Sequence, residues 1–186
     1  EMIRNRAFEF SPMDNPSYQA LTAWKRIGEG GASVSSFVSN KSPFSKRNPN
    51  YLILEINKAG TRAGIKNLGY NSGIAVKENE SYNFSFYAKS DKPCEITVSI
   101  DNAYGEVITE KSLNITSSEW TEYSFTLTSP VDDFSAVLAV TSKQECKFCL
   151  DFVSLFPVKT YKNRKNGMRN DIAEMLADLK PKFMRF

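Results

Sequence analysis

The 186-residue chain contains no histidine. That absence removes the usual general base, the central member of a Ser-His-Asp triad and the commonest metal ligand. Carboxylate pairs remain, and two acids flanking a glycosidic bond can hydrolyse it without histidine. The candidates are Asp132 and Asp133, adjacent in a turn, and Glu55, Glu95, Glu106 and Glu122, scattered along strand-like segments. Adjacent acids close behind Pro130 are the chemistry of a turn rather than of a catalytic pair. Gly28, Gly30 and Gly31 lack the strand–turn–helix setting of a phosphate loop. No complete active site is legible, and the chain by itself is expected to be inactive.

The cysteines number three: Cys94, Cys146 and Cys149. An odd count cannot close a disulfide framework, and one C-x-x-C without histidine or a second pair is a poor zinc site. Strand positions three apart face opposite sides of a sheet, so free core or surface thiols are expected. Trp24, Tyr51, Tyr70 and Trp120 fall in loops or on the polar phase of strands, where core burial does not account for them. Aromatic faces of this kind suit sugar rings, whose C–H patches are apolar and whose edges need hydrogen bonds. The plainer alternatives are that Trp24 pins a long loop and that Trp120 covers a sheet edge.

These residues are carried by two different patterns. From about Ser33 to Phe156 the apolar period is two. Leu52, Leu54 and Ile56 form one stripe, and Tyr82, Phe84 and Phe86 another. Ile96, Val98 and Ile100, then Tyr123, Phe125 and Leu127, then Phe148, Leu150 and Phe152 repeat the pattern. Half-buried antiparallel strands predict this alternation. Turn residues separate the runs at Lys77-Glu78-Asn79, Ser90-Asp91-Lys92-Pro93, Tyr104-Gly105 and Ser129-Pro130. The stretch from Ser11 to Ala32 reads as a long loop. Near the C-terminus the period changes to 3.6. Met168, Ile172, Met175, Leu176 and Leu179 make one stripe of a helix from Asn166 to Lys180, with Asn166 as N-cap and Pro181 beyond its end. Phe183 to Phe186 reads as the start of a further strand. The expected fold is mostly β, a jelly-roll-like antiparallel β-sandwich with one C-terminal α-helix.

Composition agrees with a packed domain. Hydrophobic residues make up 41% and aromatics 12%, enough for a core in a chain of this length. The net charge of +3 is too small to imply a nucleic-acid or membrane surface, and Lys162-Asn163-Arg164-Lys165 reads as a solvated linker. No apolar run approaches the ~20 residues of a membrane span.

Two sets of residues resemble known families. Glu1-Met2-Ile3-Arg4-Asn5-Arg6-Ala7-Phe8-Glu9-Phe10, and Asn166-Gly167-Met168-Arg169 through Asp178-Leu179-Lys180-Pro181-Lys182-Phe183-Met184-Arg185-Phe186, resemble segments of glycoside hydrolase family 51, the α-L-arabinofuranosidases. The first is similar to the segment around the first barrel strand and the loop after it. The second is similar to a helix and the next strand, which in that family runs on into Pro-Gly-Gly. The sandwich resembles carbohydrate-binding modules of the family 4/9 kind. Asn5-Arg6-Ala7-Phe8-Glu9, Gly69-Tyr70-Asn71-Ser72-Gly73-Ile74 with Glu80 to Ala88, and Leu150-Asp151-Phe152-Val153-Ser154-Leu155-Phe156 carry that likeness.

The resemblance implies a piece of a larger enzyme. Residues 1–10 would be a barrel fragment able to join the sandwich, 11–158 the carbohydrate-binding-like domain, and 159–186 a linker, helix and strand of the barrel. It further implies that Arg185 is a substrate-pocket residue of the parent enzyme, that Tyr70 lines a sugar site, and that Glu9 and Asp151 hold a structural calcium. The family's catalytic glutamates have no counterpart here, and Glu1 and Glu9 do not replace them. Val137 to Thr141 lacks the aromatic and the acid that related xylan binders carry. The implied partners are arabinose-containing polysaccharide and the missing barrel, with self-association through the helical tail and no nucleic acid or membrane. An extracytoplasmic location follows by analogy. A purely structural insertion that shapes or oligomerises the catalytic domain is the alternative.

Overall fold

The computed structural model describes residues 1–71 and 73–183. Eleven strands are followed by one helix: β1 Trp24–Glu29, β2 Ser33–Ser39, β3 Tyr51–Lys58, β4 Arg62–Asn67, β5 Ile74–Val76, β6 Ser81–Lys89, β7 Cys94–Asp101, β8 Val107–Ile115, β9 Thr121–Thr128, β10 Asp133–Ser142, β11 Cys146–Pro157 and α1 Asn170–Asp178. The strands form two antiparallel sheets. One runs β1-β4-β10-β7-β8 with β5 paired to β10, and the other runs β2-β3-β11-β6-β9. The mostly-β sandwich with one C-terminal helix is thus the observed architecture.

The apolar stripes explain why the sheets face each other. Leu52, Leu54 and Ile56 of β3, Tyr82, Phe84 and Phe86 of β6, and Phe148 and Leu150 of β11 point inward from one sheet. Ile96, Val98 and Ile100 of β7 with Leu138 and Val140 of β10 meet them from the other, and all belong to one buried cluster. Each fully buried side chain of this size contributes roughly 1.5–3 kcal/mol. Tyr123 and Phe125 are only half-buried because β9 is an edge strand, yet they stack against Phe86 and Phe84.

Three local expectations are corrected. The stretch Ser11 to Ala32 is not all loop. Its second half is β1, paired with β4 from Trp24↔Asn67 to Glu29↔Arg62. Gly30 and Gly31, at φ 60° and 77°, turn the chain from β1 in one sheet to β2 in the other, a conformation glycine adopts at little steric cost. The helix is shorter than its stripe. It begins after Arg169, and Asn166, expected as the N-cap, lies at φ 54° outside it. The third correction concerns Phe152. The pairing of β11 with β6 shifts register between Asp151 and Ser154, Phe152 takes φ 49°, and Val153 and Leu155 face the core instead. A bulge of this kind inserts a residue and reverses the alternation beyond it.

Residues 1–10 pack on the sandwich. β3 pairs with β11 only as far as Leu150. Beyond that point the Met2 N–H donates to the Leu155 carbonyl at 3.0 Å and the Val153 N–H to the Arg6 carbonyl at 3.0 Å. Ile3 and Phe8 are fully buried in the common core. At the other end α1 buries Ala173, while Met168, Ile172, Met175, Leu176 and Leu179 stay exposed. The sandwich does not cover the stripe. Arg185 and the last three positions of the expected final strand lie outside the described residues. No helix among the described residues is long and apolar enough to cross a membrane.

Candidate functional site

Asn5 organises the N-terminal corner. At φ 54° it bends the chain, and its side chain donates to the Ala20 and Thr22 carbonyls at 2.8 and 3.1 Å while accepting from the Phe10 N–H at 3.2 Å. The Asn5 carbonyl accepts from the Trp24 indole N–H at 3.0 Å. Trp24 is 5% exposed and packs against Phe8, ring centroids 5.2 Å apart. Burial therefore does account for Trp24, because the strand that carries it was not legible.

Tyr51 needs the same correction, for a different reason. It lies on the outer face of its sheet, since Leu52 and Leu54 point to the core, yet it is only 4% exposed. The β2–β3 connection, residues 40–50, lies over that face. The Ser42 carbonyl accepts from the Trp120 indole N–H at 3.0 Å and from Lys89 Nζ at 3.2 Å. Phe44 stacks on Tyr87 with centroids 3.8 Å apart and meets Trp120 and Phe152 edge-on. Lys89 Nζ sits 4.8 Å from the Trp120 ring centroid and 5.6 Å from that of Tyr51. Trp120 and Tyr51 are thus brought together, 5.2 Å apart, under a loop that the alternation of strands could not place.

Asp151 is part of this covered region. It pairs with Tyr87 across the β11–β6 ladder, and its carboxylate is completely buried. One oxygen accepts from the Phe152 N–H at 2.7 Å, and the other has no partner among the described residues. Burial pushes its pKa up to about 7, the Phe152 N–H opposes the rise, the Glu9 charge adds to it, and Arg6 offsets part of it. Glu9 is held from the side by Asn50, whose backbone N–H donates to it at 2.8 Å. Arg6 lies over the Phe152 ring at 5.2 Å, and its Nε stands 3.2 Å from Glu1 as an ion pair without hydrogen-bond geometry. An orphaned buried carboxylate oxygen beside a second carboxylate fits a hard cation. Among the described residues no group of three His, Cys, Asp or Glu converges on one point, so backbone or side-chain carbonyls would have to complete such a shell.

Tyr70 stands apart from the others. It is half exposed in the turn closed by its bridge to Gly73, between two open clefts. The first, about 340 Å³, is lined by Glu1, Arg6, Glu9, Phe10, Tyr70 and Phe152 among others. The second, about 670 Å³, lies between the sandwich and the start of the helix, where Tyr70 and the exposed Phe134 accompany Lys77, Glu80, Met168 and Ile172. The exposure of Phe134 is not legible in the strand pattern, because it shares parity with the buried Ala136 and Leu138. The register shift of β10 between Asp133 and Ala136 breaks that parity.

Five of the six candidate acids are engaged by local partners. Asp132 accepts from the Glu78 N–H at 2.8 Å, and Asp133 from the Ser135 N–H at 2.7 Å. Glu55 is bound to Lys147, Glu106 to Asn102 and Glu122 to Tyr87. Glu1 ties the N-terminus to β11 through Ser154 and the Leu155 N–H.

The fold is shared with known proteins. Residues 1–147 match the family model described as a carbohydrate binding domain. Over its full length the chain is 37% identical to an extracellular exo-α-L-arabinofuranosidase of Streptomyces chartreusis, of which it covers 21%. It superposes on the structure of an arabinose-bound family 51 α-L-arabinofuranosidase with a TM-score of 0.84 and 30% identity, covering all of this chain and 31% of that one. A CBM4 structure shares the sandwich fold at a TM-score of 0.58 and 21% identity, over 83% of this chain and 99% of that one. The chain thus spans between a fifth and a third of the arabinofuranosidases it resembles. With its sandwich, its N-terminal corner and most of its length matched, it belongs to the 4/9 family of carbohydrate binding domains, in the form found within family 51 α-L-arabinofuranosidases.

Proposed function

We propose that this chain is the non-catalytic accessory domain of an α-L-arabinofuranosidase and contributes contacts to arabinose-containing plant polysaccharide. The observation that carries this reading is similarity over the whole chain, tail included, to enzymes of that name. The pairing of each candidate acid except Glu95 with a local structural partner supports a non-catalytic role. Tyr70, with Phe134 beside it in the larger cleft, is the aromatic surface available to a sugar ring, whereas Trp120 is engaged by the Ser42 carbonyl and Tyr51. The exposed stripe of α1 is a surface for the catalytic domain of the same polypeptide. When that domain is missing, the stripe favours concentration-dependent self-association. The Streptomyces relative is described as extracellular, which supports an extracytoplasmic location here.

Affinity electrophoresis and calorimetry with arabinan and arabinoxylan test the binding role. Retardation of the native chain, lost in Tyr70→Ala, is the expected result. No interaction at millimolar arabino-oligosaccharide would sink it.

Calcium held by Glu9 and Asp151 is proposed on the orphaned Asp151 oxygen. When bound, the ion would neutralise two neighbouring carboxylates and join the N-terminal corner to β11. Chelator should then lower the melting temperature by several degrees, with no effect on Asp151→Ala. Identical melting curves with and without chelator remove the metal.

A further inference from the structure

Cys94 is the first residue of β7 in one sheet, and Cys146 is the first residue of β11 in the other. Both lie at the same end of the sandwich. β10 pairs with β7 through Thr141↔Thr97 and then crosses to β11 through residues 143–145, which brings Cys146 back to where β7 begins. Cys146 packs against the buried core that contains Cys94, near enough for each thiol to shift the other's titration, that of Cys94 upward and that of Cys146 downward. The Ser142 hydroxyl, four positions before Cys146, donates to the carbonyl of Glu95, the neighbour of Cys94, at 2.7 Å. From the far side the Ser90 hydroxyl holds the Lys147 carbonyl at 2.7 Å. The backbones that carry the two cysteines are therefore fixed to each other independently of the thiols.

We propose that Cys94 and Cys146 form a disulfide that ties the two sheets together at this end of the sandwich. Cys149 is excluded by direction. It sits on the outer face between Ile53 and Lys89, whereas Cys146 packs against the core that contains Cys94. With their backbones already held together at this end of the sandwich, the two sulfurs need only a side-chain adjustment to reach a bond of about 2.05 Å. Cys146 is partly exposed and Cys94 is buried, so Cys146 is the sulfur an oxidant meets first. The neighbouring Cys94, and Ser142 after it, favour its thiolate, which is the attacking form.

The oxidant is a small-molecule disulfide. The Cys146 thiolate, its proton lost to solvent, attacks one sulfur of that disulfide and releases one small thiolate, leaving a mixed disulfide on Cys146. The Cys94 thiol then loses its proton and attacks the Cys146 sulfur, expelling the second small thiolate. Two protein thiols lose two electrons and two protons, and one small disulfide becomes two thiols. The bond would close a long loop and restrict the unfolded chain, and an oxidising compartment would preserve it.

The full chain is equilibrated with glutathione disulfide, alkylated, and mapped by mass spectrometry. Thiols titratable in denaturant should fall from three to one, and a peptide linking Cys94 to Cys146 should appear. The melting temperature should rise by several degrees and return on reduction with dithiothreitol. Cys149→Ser should keep that gain, and Cys146→Ser, a conservative change at a partly exposed strand end, should lose it. Three titratable thiols after prolonged oxidation, a bridge to Cys149, a disulfide between two molecules, or a cross-link that lowers the melting temperature each overturns the proposal.

Discussion

Beneath residues 40–50 and around Tyr70 the molecule uses the same side-chain chemistry to opposite ends. In the first region Tyr51, Tyr87, Trp120 and Phe152 project from the outer face of a sheet and are occupied by Phe44 and the Ser42 carbonyl. In the second, Tyr70 and Phe134 border a cleft that stays open among the described residues. An aromatic that leaves the core phase of a strand is therefore not by itself a binding surface. What decides is whether another segment arrives to cover it, and that segment is distant in sequence: Ser42 and Trp120 are 78 positions apart. The covered face should answer to stability measurements, and the open cleft to binding.

The largest effect separating the two regions is expected at Asp151. Its pKa lies near 7 in the folded chain against 3.8 for an ordinary carboxyl group. The folded state thus holds the proton more tightly than the unfolded state. Its stabilising contribution is full below about pH 4 and is lost as pH rises toward about 7. Roughly three units at 1.36 kcal/mol each give an upper bound of about 4 kcal/mol. In chelator, chemical denaturation should show stability falling across that window, and Asp151→Asn should flatten the profile. A wild-type profile that is already flat would mean that water or an ion satisfies the carboxylate, and that the face is less closed than the packing implies.

Next in size is Phe44→Ala. Fully buried aromatics lose ~3–5 kcal/mol on truncation. Phe44 keeps about two fifths of its surface exposed, so ~2 kcal/mol is expected, with Trp120→Ala similar. Neither change should strengthen sugar binding. If Phe44→Ala raised affinity for arabinoxylan, the loop would be masking a site and the contrast between the regions would collapse.

Tyr70→Ala should do the reverse. Stability should stay within ~0.5 kcal/mol of wild type, while affinity for arabinan falls about tenfold, or ~1.4 kcal/mol. Unfolding curves and calorimetry on the same variant check both halves. The smallest effect on folding is expected from Leu176→Lys with Leu179→Lys, within ~0.5 kcal/mol, because both side chains face solvent. Sedimentation should show weaker self-association in that variant. Equal monomer fractions at every concentration would leave the stripe without a role in the isolated chain.

Much of this was readable residue by residue. The alternation in β3, β6 and β7 named core positions correctly, because a half-buried antiparallel strand tolerates only one phase. The turn role of Asp132 and Asp133 was readable for a similarly local reason, since short acids accept from nearby backbone N–H groups. The site was less legible. Trp24 looked like a loop residue because its strand contains Gly28 and precedes two further glycines, a composition that mimics a loop. Phe152 looked like a core residue because a bulge leaves no mark on apolar periodicity. Phe134 was hidden by the same kind of register shift in β10.

The sequence by itself determined the sandwich, the phases of its regular strands, the amphipathic tail and the absence of histidine chemistry. Each of these follows from interactions within a few residues or from composition. Only the tertiary structure decided that the outer face of one sheet is closed, that Asp151 is buried without a partner for one oxygen, that Tyr70 stands open, and that Cys94 meets Cys146. Those outcomes depend on where a loop, an N-terminal segment and a sheet crossover come to rest. Contacts between residues so far apart depend on the packing of the whole chain, and no local pattern of side chains encodes them.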